Sequence, residues 1–146
     1  MCIRDRYPAP ILVTPHLGEF SRIAGVSVEE WKEAPLYLTK RFAQKYHLTV
    51  VCKDSRTVIS DGGEEIFINT SGNSGMATAG SGDVLSGILM GLLAQGLSVK
   101  EAAALGAYFH GMAGDMAAAQ KGEYSMIAGD MITQTTEILK KRGAVL

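Results

Sequence analysis

The fold of this chain is decided by the stretch "GNSGMATAGSGDVLSGILMGLL", residues 72–93, in which a glycine-rich segment leads directly into an apolar run. The apolar residues recur at the spacing of an α-helix, and they are Val84, Leu85, Ile88, Leu89, Leu92 and Leu93. The pattern therefore predicts a buried helix that ends at Gly96. Its first turn carries Gly80-Ser81-Gly82-Asp83, where unpaired N–H groups and the positive end of the helix dipole can bind an anion.

The glycine-rich segment fits neither of the common nucleotide loops. A P-loop needs lysine after the second glycine, but Ser81 follows Gly80. The dinucleotide fingerprint needs a third glycine where Leu85 stands. Asp83 could simply cap the helix. However, glycine costs roughly 0.5–1 kcal/mol wherever backbone freedom is not needed, so the density of glycines favours close approach of a ligand to the backbone.

Strand and helix patterns alternate on both sides of this segment, which predicts a layered α/β fold. A strand at 11–14 is followed by a helix with Thr14 as its N-cap and Pro15 at its first position. Further elements are predicted as follows: helices after capping boxes at 27–30 and 98–101, a helix over 35–46, a strand over 48–53, a hairpin of 58–59 with 65–69, and a last helix over about 127–142.

Composition restricts the class of partner. The chain has 146 residues, of which 47% are hydrophobic, and a net charge of −1, which suits one domain that binds a small molecule rather than nucleic acid. No apolar run is long enough for a membrane span. Cys2 and Cys52 are too few for a disulfide scaffold, and this cysteine usage suits the cytoplasm.

Together the motifs resemble the ribokinase-like superfamily, and specifically its bacterial ADP-dependent NAD(P)H-hydrate dehydratases. Besides residues 72–97, the resemblance is carried by "TPHLGEF" (14–20), "KDSRTVIS" (53–60), "EAAALGAYFHGMAGDMAA" (101–118) and "SMIAGDMI" (125–132). It implies a ribokinase-like three-layer α/β/α fold, of which this chain is the C-terminal half. Residues 1–7 do not align with the family and are interpreted as an artefactual start, and 8–146 as a partial domain.

The resemblance implies that hydrated nicotinamide nucleotides, the S-forms of NADHX and NADPHX, are returned to NADH and NADPH. Their ring hydroxyl would be phosphorylated from ADP or ATP with Mg²⁺, and phosphate would then be eliminated. Asp83 is expected to be the catalytic residue beside the substrate hydroxyl, His16 to contact substrate, and Glu19 to arrange Mg²⁺. The implied nucleotide-binding residues are Lys53, Asp54, Ser55, Arg56, Thr57, Gly80, Ser81 and Gly82. Asp54 stands where this family usually has glycine.

Several alternatives stay open. His16 and Glu19 could be an ordinary first-turn pair, and His110 is interpreted as a packed helical histidine with no catalytic role. The chain could instead belong to a kinase of the same superfamily, acting on a vitamin precursor or sugar, or be an inactive nucleotide-binding fragment. We expect the fragment alone to be inactive and the full-length protein to be a cytoplasmic homo-oligomer.

Overall fold

The computed structural model describes residues 9–141, and its centre is one mixed four-stranded sheet. The strands are β1 (Leu12–Val13), β2 (Thr49–Cys52), β3 (Thr57–Ser60) and β4 (Ile66–Asn69), and they lie in that order across the sheet. β1 pairs with β2 in parallel, whereas β2–β3 and β3–β4 are antiparallel. The predicted hairpin over 58–69 is therefore confirmed.

Within residues 9–141, six helices surround the sheet. They are α1 (Leu17–Ala24), α2 (Val28–Glu33), α3 (Pro35–Tyr46), α4 (Ser81–Ala94), α5 (Val99–Lys121) and α6 (Ala128–Lys141). A single 3₁₀ turn, Ser74–Met76, lies between β4 and α4. Among residues 9–141, no helix combines the length and the apolar character needed to cross a membrane.

The side chains of β2 alternate between two hydrophobic cores, one on each face of the sheet. Val50 and Cys52 pack with Phe20, Trp31 and other residues of α1–α3. Val51, between them, packs with residues of α4 and α5 on the opposite face. Because a strand with helices on both sides must be apolar on both faces, β2 is buried along its whole length. The three-layer α/β/α arrangement is confirmed.

The start of α1 differs from the prediction, because His16 and not Thr14 is its N-cap. The carbonyl of Pro15 accepts a hydrogen bond from the Lys53 amide at 2.8 Å, so the chain at Pro15 still pairs as an extended strand and cannot begin a helix. The capping boxes at Ser27 and Ser98 and the helix Pro35–Tyr46 are as predicted. Residues 1–7, interpreted as an artefactual start, and residue 142 lie outside the described residues.

We expect Phe20→Ala to lower the free energy of unfolding by about 3–5 kcal/mol, because it empties the centre of the α1–α3 core. The Phe20 ring is 0% exposed and lies 5.1 Å from the ring centre of Phe42. Ile23→Ala, on the same helix but 51% exposed, is the matched control and should change that free energy by less than about 0.5 kcal/mol. Urea unfolding measures both variants, and equal losses would contradict this assignment of the core.

Candidate functional site

Two strands end side by side where the sheet meets the glycine-rich segment. The Lys53 amide donates to the Pro15 carbonyl at 2.8 Å, and the Leu17 amide donates to the Lys53 carbonyl at 2.9 Å. His16 and Lys53 consequently form a parallel β-bridge directly after β1 and β2. Ligand sites in α/β sheets lie at the carboxyl ends of parallel strands, so this edge is the candidate site.

The first turn of α4 reaches the same edge. Its N-cap is Gly80, whose φ of 85° lies in the left-handed region that favours glycine, and no side chain caps the helix. Within the part of the chain that the structure describes, the Gly82 amide donates no hydrogen bond. Asp83 is exposed in this turn. The alternative that Asp83 serves merely as the helix cap is therefore wrong.

Lys53 lies against this helix start. A Cβ atom placed on Gly82 would lie 3.3 Å from Nζ of Lys53. The lysine ammonium and the positive end of the α4 dipole therefore meet at one point, and both favour a bound anion. The absence of a side chain at Gly82 leaves the backbone accessible to that anion. This arrangement fits the phosphates of a nucleotide.

A cavity of about 820 Å³ opens at this point. The predicted site residues that line it are His16, Lys53, Asp54, Ser55, Thr57, Ser81 and Gly82. The lining does not include Glu19, Arg56, Gly80 or Asp83. Gly80 and Asp83 flank the lining residues Ser81 and Gly82 in sequence, so the α4 start is shared between the cavity and its rim.

His16 and Glu19 are a capping box of α1. Nδ1 of His16 accepts from the Glu19 amide at 3.2 Å, and Oε2 of Glu19 accepts from the His16 amide at 2.8 Å. That backbone hydrogen bond holds the pKa of Glu19 below its ordinary value. A neutral His16 ring that accepts at Nδ1 carries its proton on Nε2. The two residues therefore form a first-turn pair, and His16 also lines the cavity.

Asp54 is accommodated without backbone strain. Glycine is needed where φ is positive, and His47 is the one non-glycine residue with positive φ among residues 9–141. Asp54 is exposed and lines the cavity. The family's usual glycine is therefore not required here by the conformation of this chain.

The lining of the cavity also contains residues that the sequence patterns did not indicate. They include Asn69, Ser71, Asn73, Thr78 and His110. His110 is 8% exposed, and its Nε2 lies 3.4 Å from Oγ of Ser81. Burial lowers the pKa of His110 and the charge of Lys53 lowers it further, whereas a hydrogen bond with the backbone of Ser81 raises it. Its position in the motif "FHGMAGD" was the sequence feature that could have indicated a place in this site.

The described residues offer few ligands for a metal ion. Among the described residues, no group of three or more His, Cys, Asp or Glu side chains is placed to hold a metal ion. Glu19 offers a single carboxylate, half exposed, beside His16. Mg²⁺ commonly uses one or two carboxylates together with phosphates of the substrate, so Glu19 fits an ion that arrives with a nucleotide.

Comparison with known proteins gives a consistent result. The family model described as NAD(P)H-hydrate dehydratase matches residues 5–137. A bifunctional NAD(P)H-hydrate repair enzyme of Moorella thermoacetica is 45% identical over 131 residues, which are 90% of this chain and 25% of that protein. An ADP-dependent (S)-NAD(P)H-hydrate dehydratase of Neisseria meningitidis is 39% identical over 83% of this chain and 41% of its own length.

A solved structure agrees with these relatives. It is the ADP/ATP-dependent NAD(P)H-hydrate dehydratase of Bacillus subtilis co-crystallised with ATP and Mg²⁺, with a TM-score of 0.86 and 28% sequence identity. The similarity covers 94% of this chain and 50% of that one. This chain therefore spans between a quarter and a half of the length of the relatives it matches.

We expect acid to destabilise the chain through His110. Its pKa is lowered in the folded state, so the unfolded state binds more protons, and the free energy of unfolding falls as the pH falls below about 6.5. His110→Asn should reduce this dependence between about pH 7.5 and about pH 5.5 in urea unfolding. The other histidines are present in both proteins and cancel in the comparison. An identical loss of stability in both proteins would contradict this.

Proposed function

Because this chain belongs to the NAD(P)H-hydrate dehydratase family, we propose that it carries the nucleotide-binding loop and the catalytic carboxylate of an enzyme that restores NADHX and NADPHX to NADH and NADPH. The observation that carries the proposal is the meeting of Lys53 with the start of α4, next to Asp83. We also propose a cytoplasmic location, in keeping with the low cysteine content. The homo-oligomer expected of the full-length protein stays a prediction.

The proposed nucleotide site is the region of positive electrostatic potential formed by Lys53 and the N-terminus of α4. The amides of Gly80 and Gly82, which donate no hydrogen bond among the described residues, would hold phosphate oxygens, and the ammonium of Lys53 would neutralise their charge. Residues 54–57 continue from Lys53, and all of them except Arg56 line the same cavity. A volume of about 820 Å³ is within the range of small-molecule sites and suits a nucleotide. ADP and ATP present the same phosphate chemistry to these groups.

The proposed chemistry separates charge stabilisation from proton removal. When bound, the nucleotide would supply a phosphoryl group to the ring hydroxyl and leave as AMP or ADP, and the lone pair of the ring nitrogen would then expel phosphate. The Asp83 carboxylate, which caps no helix, accepts the proton of that hydroxyl. The amides and Lys53 stabilise negative charge where it accumulates. His16, with its proton on Nε2, would donate a hydrogen bond to substrate, and Glu19 would orient Mg²⁺.

The activity is tested in a chimera, since this chain covers 25% of the Moorella thermoacetica relative. Residues 9–141 replace the matching segment of that protein, and recovery of NADH from NADHX is followed with ADP and Mg²⁺. We expect turnover by the chimera and none by the chain alone, because transfer requires a complete site that holds donor and acceptor in line. A folded chimera that binds ADP without forming NADH contradicts the proposal. Phosphorylation of a sugar or vitamin precursor would identify a kinase instead.

Asp83→Asn in this chimera should abolish turnover while ADP binding persists. The amide has the size of the carboxylate but cannot accept the proton, so a loss of about 10²-fold or more in kcat is expected. Calorimetry measures ADP affinity beside the rate assay. Asp130→Asn, on α6 and outside the cavity lining, is a control for the loss of one carboxylate. Near-normal turnover by Asp83→Asn would remove Asp83 from the mechanism.

Gly82→Val should weaken ADP binding by about tenfold or more, because a branched side chain would crowd Nζ of Lys53 and cover the backbone. Gly87→Val is the matched control. It places the same side chain on the same helix, where a Cβ atom meets nothing within 4 Å. Valine has a higher helix propensity than glycine, so neither variant should lose thermal stability on that account, while ADP affinity separates them. Equal ADP affinity would show that Gly82 has no role in binding.

A further inference from the structure

The segment from Ser71 to Gly82, which we call the ligand wall, crosses one side of α5 in close contact. A Cβ atom on Gly111 would lie 2.7 Å from the carbonyl carbon of Ser71. One on Gly114 would lie 2.6 Å from Cγ of Met76. A backbone carbonyl cannot yield to a Cβ atom at that distance. The ligand wall therefore depends on α5 having no side chain at either position.

Hydrogen bonds attach the beginning of the ligand wall to the same helix. Oδ2 of Asp115 accepts from the Gly72 amide at 2.9 Å, and Oδ1 accepts from Nδ2 of Asn73 at 3.0 Å. The hydroxyl oxygen of Ser71, which lies 2.8 Å from Oδ1 of Asn69, is also 3.2 Å from the carbonyl oxygen of Tyr108 on α5. Both oxygens of Asp115 are thus engaged with the wall, and hydrogen bonds to a charged acceptor are the stronger kind.

Asp115 sets the orientation of the Asn73 side chain, and this orientation affects the next part of the ligand wall. Because Nδ2 of Asn73 points to Asp115, its Oδ1 points the other way and accepts from the Gly75 amide at 3.1 Å. That bond caps the 3₁₀ turn Ser74–Met76. The carboxylate therefore determines which atoms of Asn73 face the turn, and the turn leads on to α4.

We propose that Asp115 is a positioning residue, which holds the ligand wall on α5 and thereby places Gly82 and Asp83 for the reaction. Asp115 does not itself line the cavity, so it acts through the wall. The proposal rests on the proposed function for its rate assay. It extends the role of the motif "HGMAGD" from helix packing to the geometry of the site.

The first test uses the chimera. Asp115→Ala should lower kcat/KM for ADP by about tenfold, with part of the loss in kcat, since two hydrogen bonds that orient the wall are removed. Asp115→Asn retains an acceptor for Gly72 and should recover part of the rate. Glu101→Ala is the matched control, because its carboxylate on α5 also accepts from a backbone amide and a side chain, Ser98 N at 3.0 Å and Ser98 Oγ at 2.6 Å.

Glu101 stands 14 residues before Asp115, about 21 Å along the helix, so its variant should lower the melting temperature and leave kcat/KM within about twofold. An equal loss of kcat/KM in Glu101→Ala and Asp115→Ala would reduce Asp115 to a structural residue and overturn the proposal. So would an Asp115→Ala chimera with the kcat and KM of the parent.

The second test needs no turnover. Amide hydrogen exchange in the chimera should accelerate at Gly75 and Ser81 in Asp115→Ala, although Asp115 bonds to neither amide, and should remain unchanged there in Glu101→Ala. Unchanged exchange at both amides in Asp115→Ala overturns the proposal. A chimera without NADH recovery contradicts the proposed function, while the exchange result still decides the role of Asp115.

Discussion

Two backbone hydrogen bonds made by Lys53, one to the carbonyl of Pro15 and one from the amide of Leu17, are the interaction on which the rest of the site depends. They continue the parallel pairing of β1 and β2 beyond the strands and bring His16 beside Lys53. The same bonds delay the start of α1 until Leu17. The two hydrophobic cores around β2 hold this edge in place, because Val50 and Val51 pack in opposite directions.

The start of α4 leaves two polar groups free for a ligand. Gly80 begins the helix through its backbone conformation, so no side chain is consumed as a cap. The amide of Gly82 and the carboxylate of Asp83 both remain available within one turn. A helix capped by serine or aspartate would have used one of these groups for its own stability. The glycines therefore have a cost in backbone entropy that a ligand can offset.

Local patterns in the sequence were enough for the layers, the capping boxes and the helix start at Gly80–Asp83, because each depends on residues close in sequence. The cap of α1 was predicted wrongly because Pro15 is paired with Lys53, a partner 38 residues away. The hydrogen bond between Gly72 and Asp115 spans 43 residues and has no local signature. Which side chains of a loop or a helical turn face a cavity also depends on packing, so Arg56, in the loop between β2 and β3, and Glu19, in α1, could not be excluded from its lining in advance.

The central claim is that the backbone at Gly80–Gly82, together with Lys53, binds the phosphates of an adenine nucleotide. The most direct measurement is an amide NMR titration of this chain with ADP and Mg²⁺, which detects even millimolar binding. The account predicts the largest shifts at Gly80, Gly82 and residues 53–57, with inorganic phosphate shifting the first two in the same direction. Shifts confined to α2 or α3, or an unperturbed Gly82 amide at saturating ADP, would contradict it.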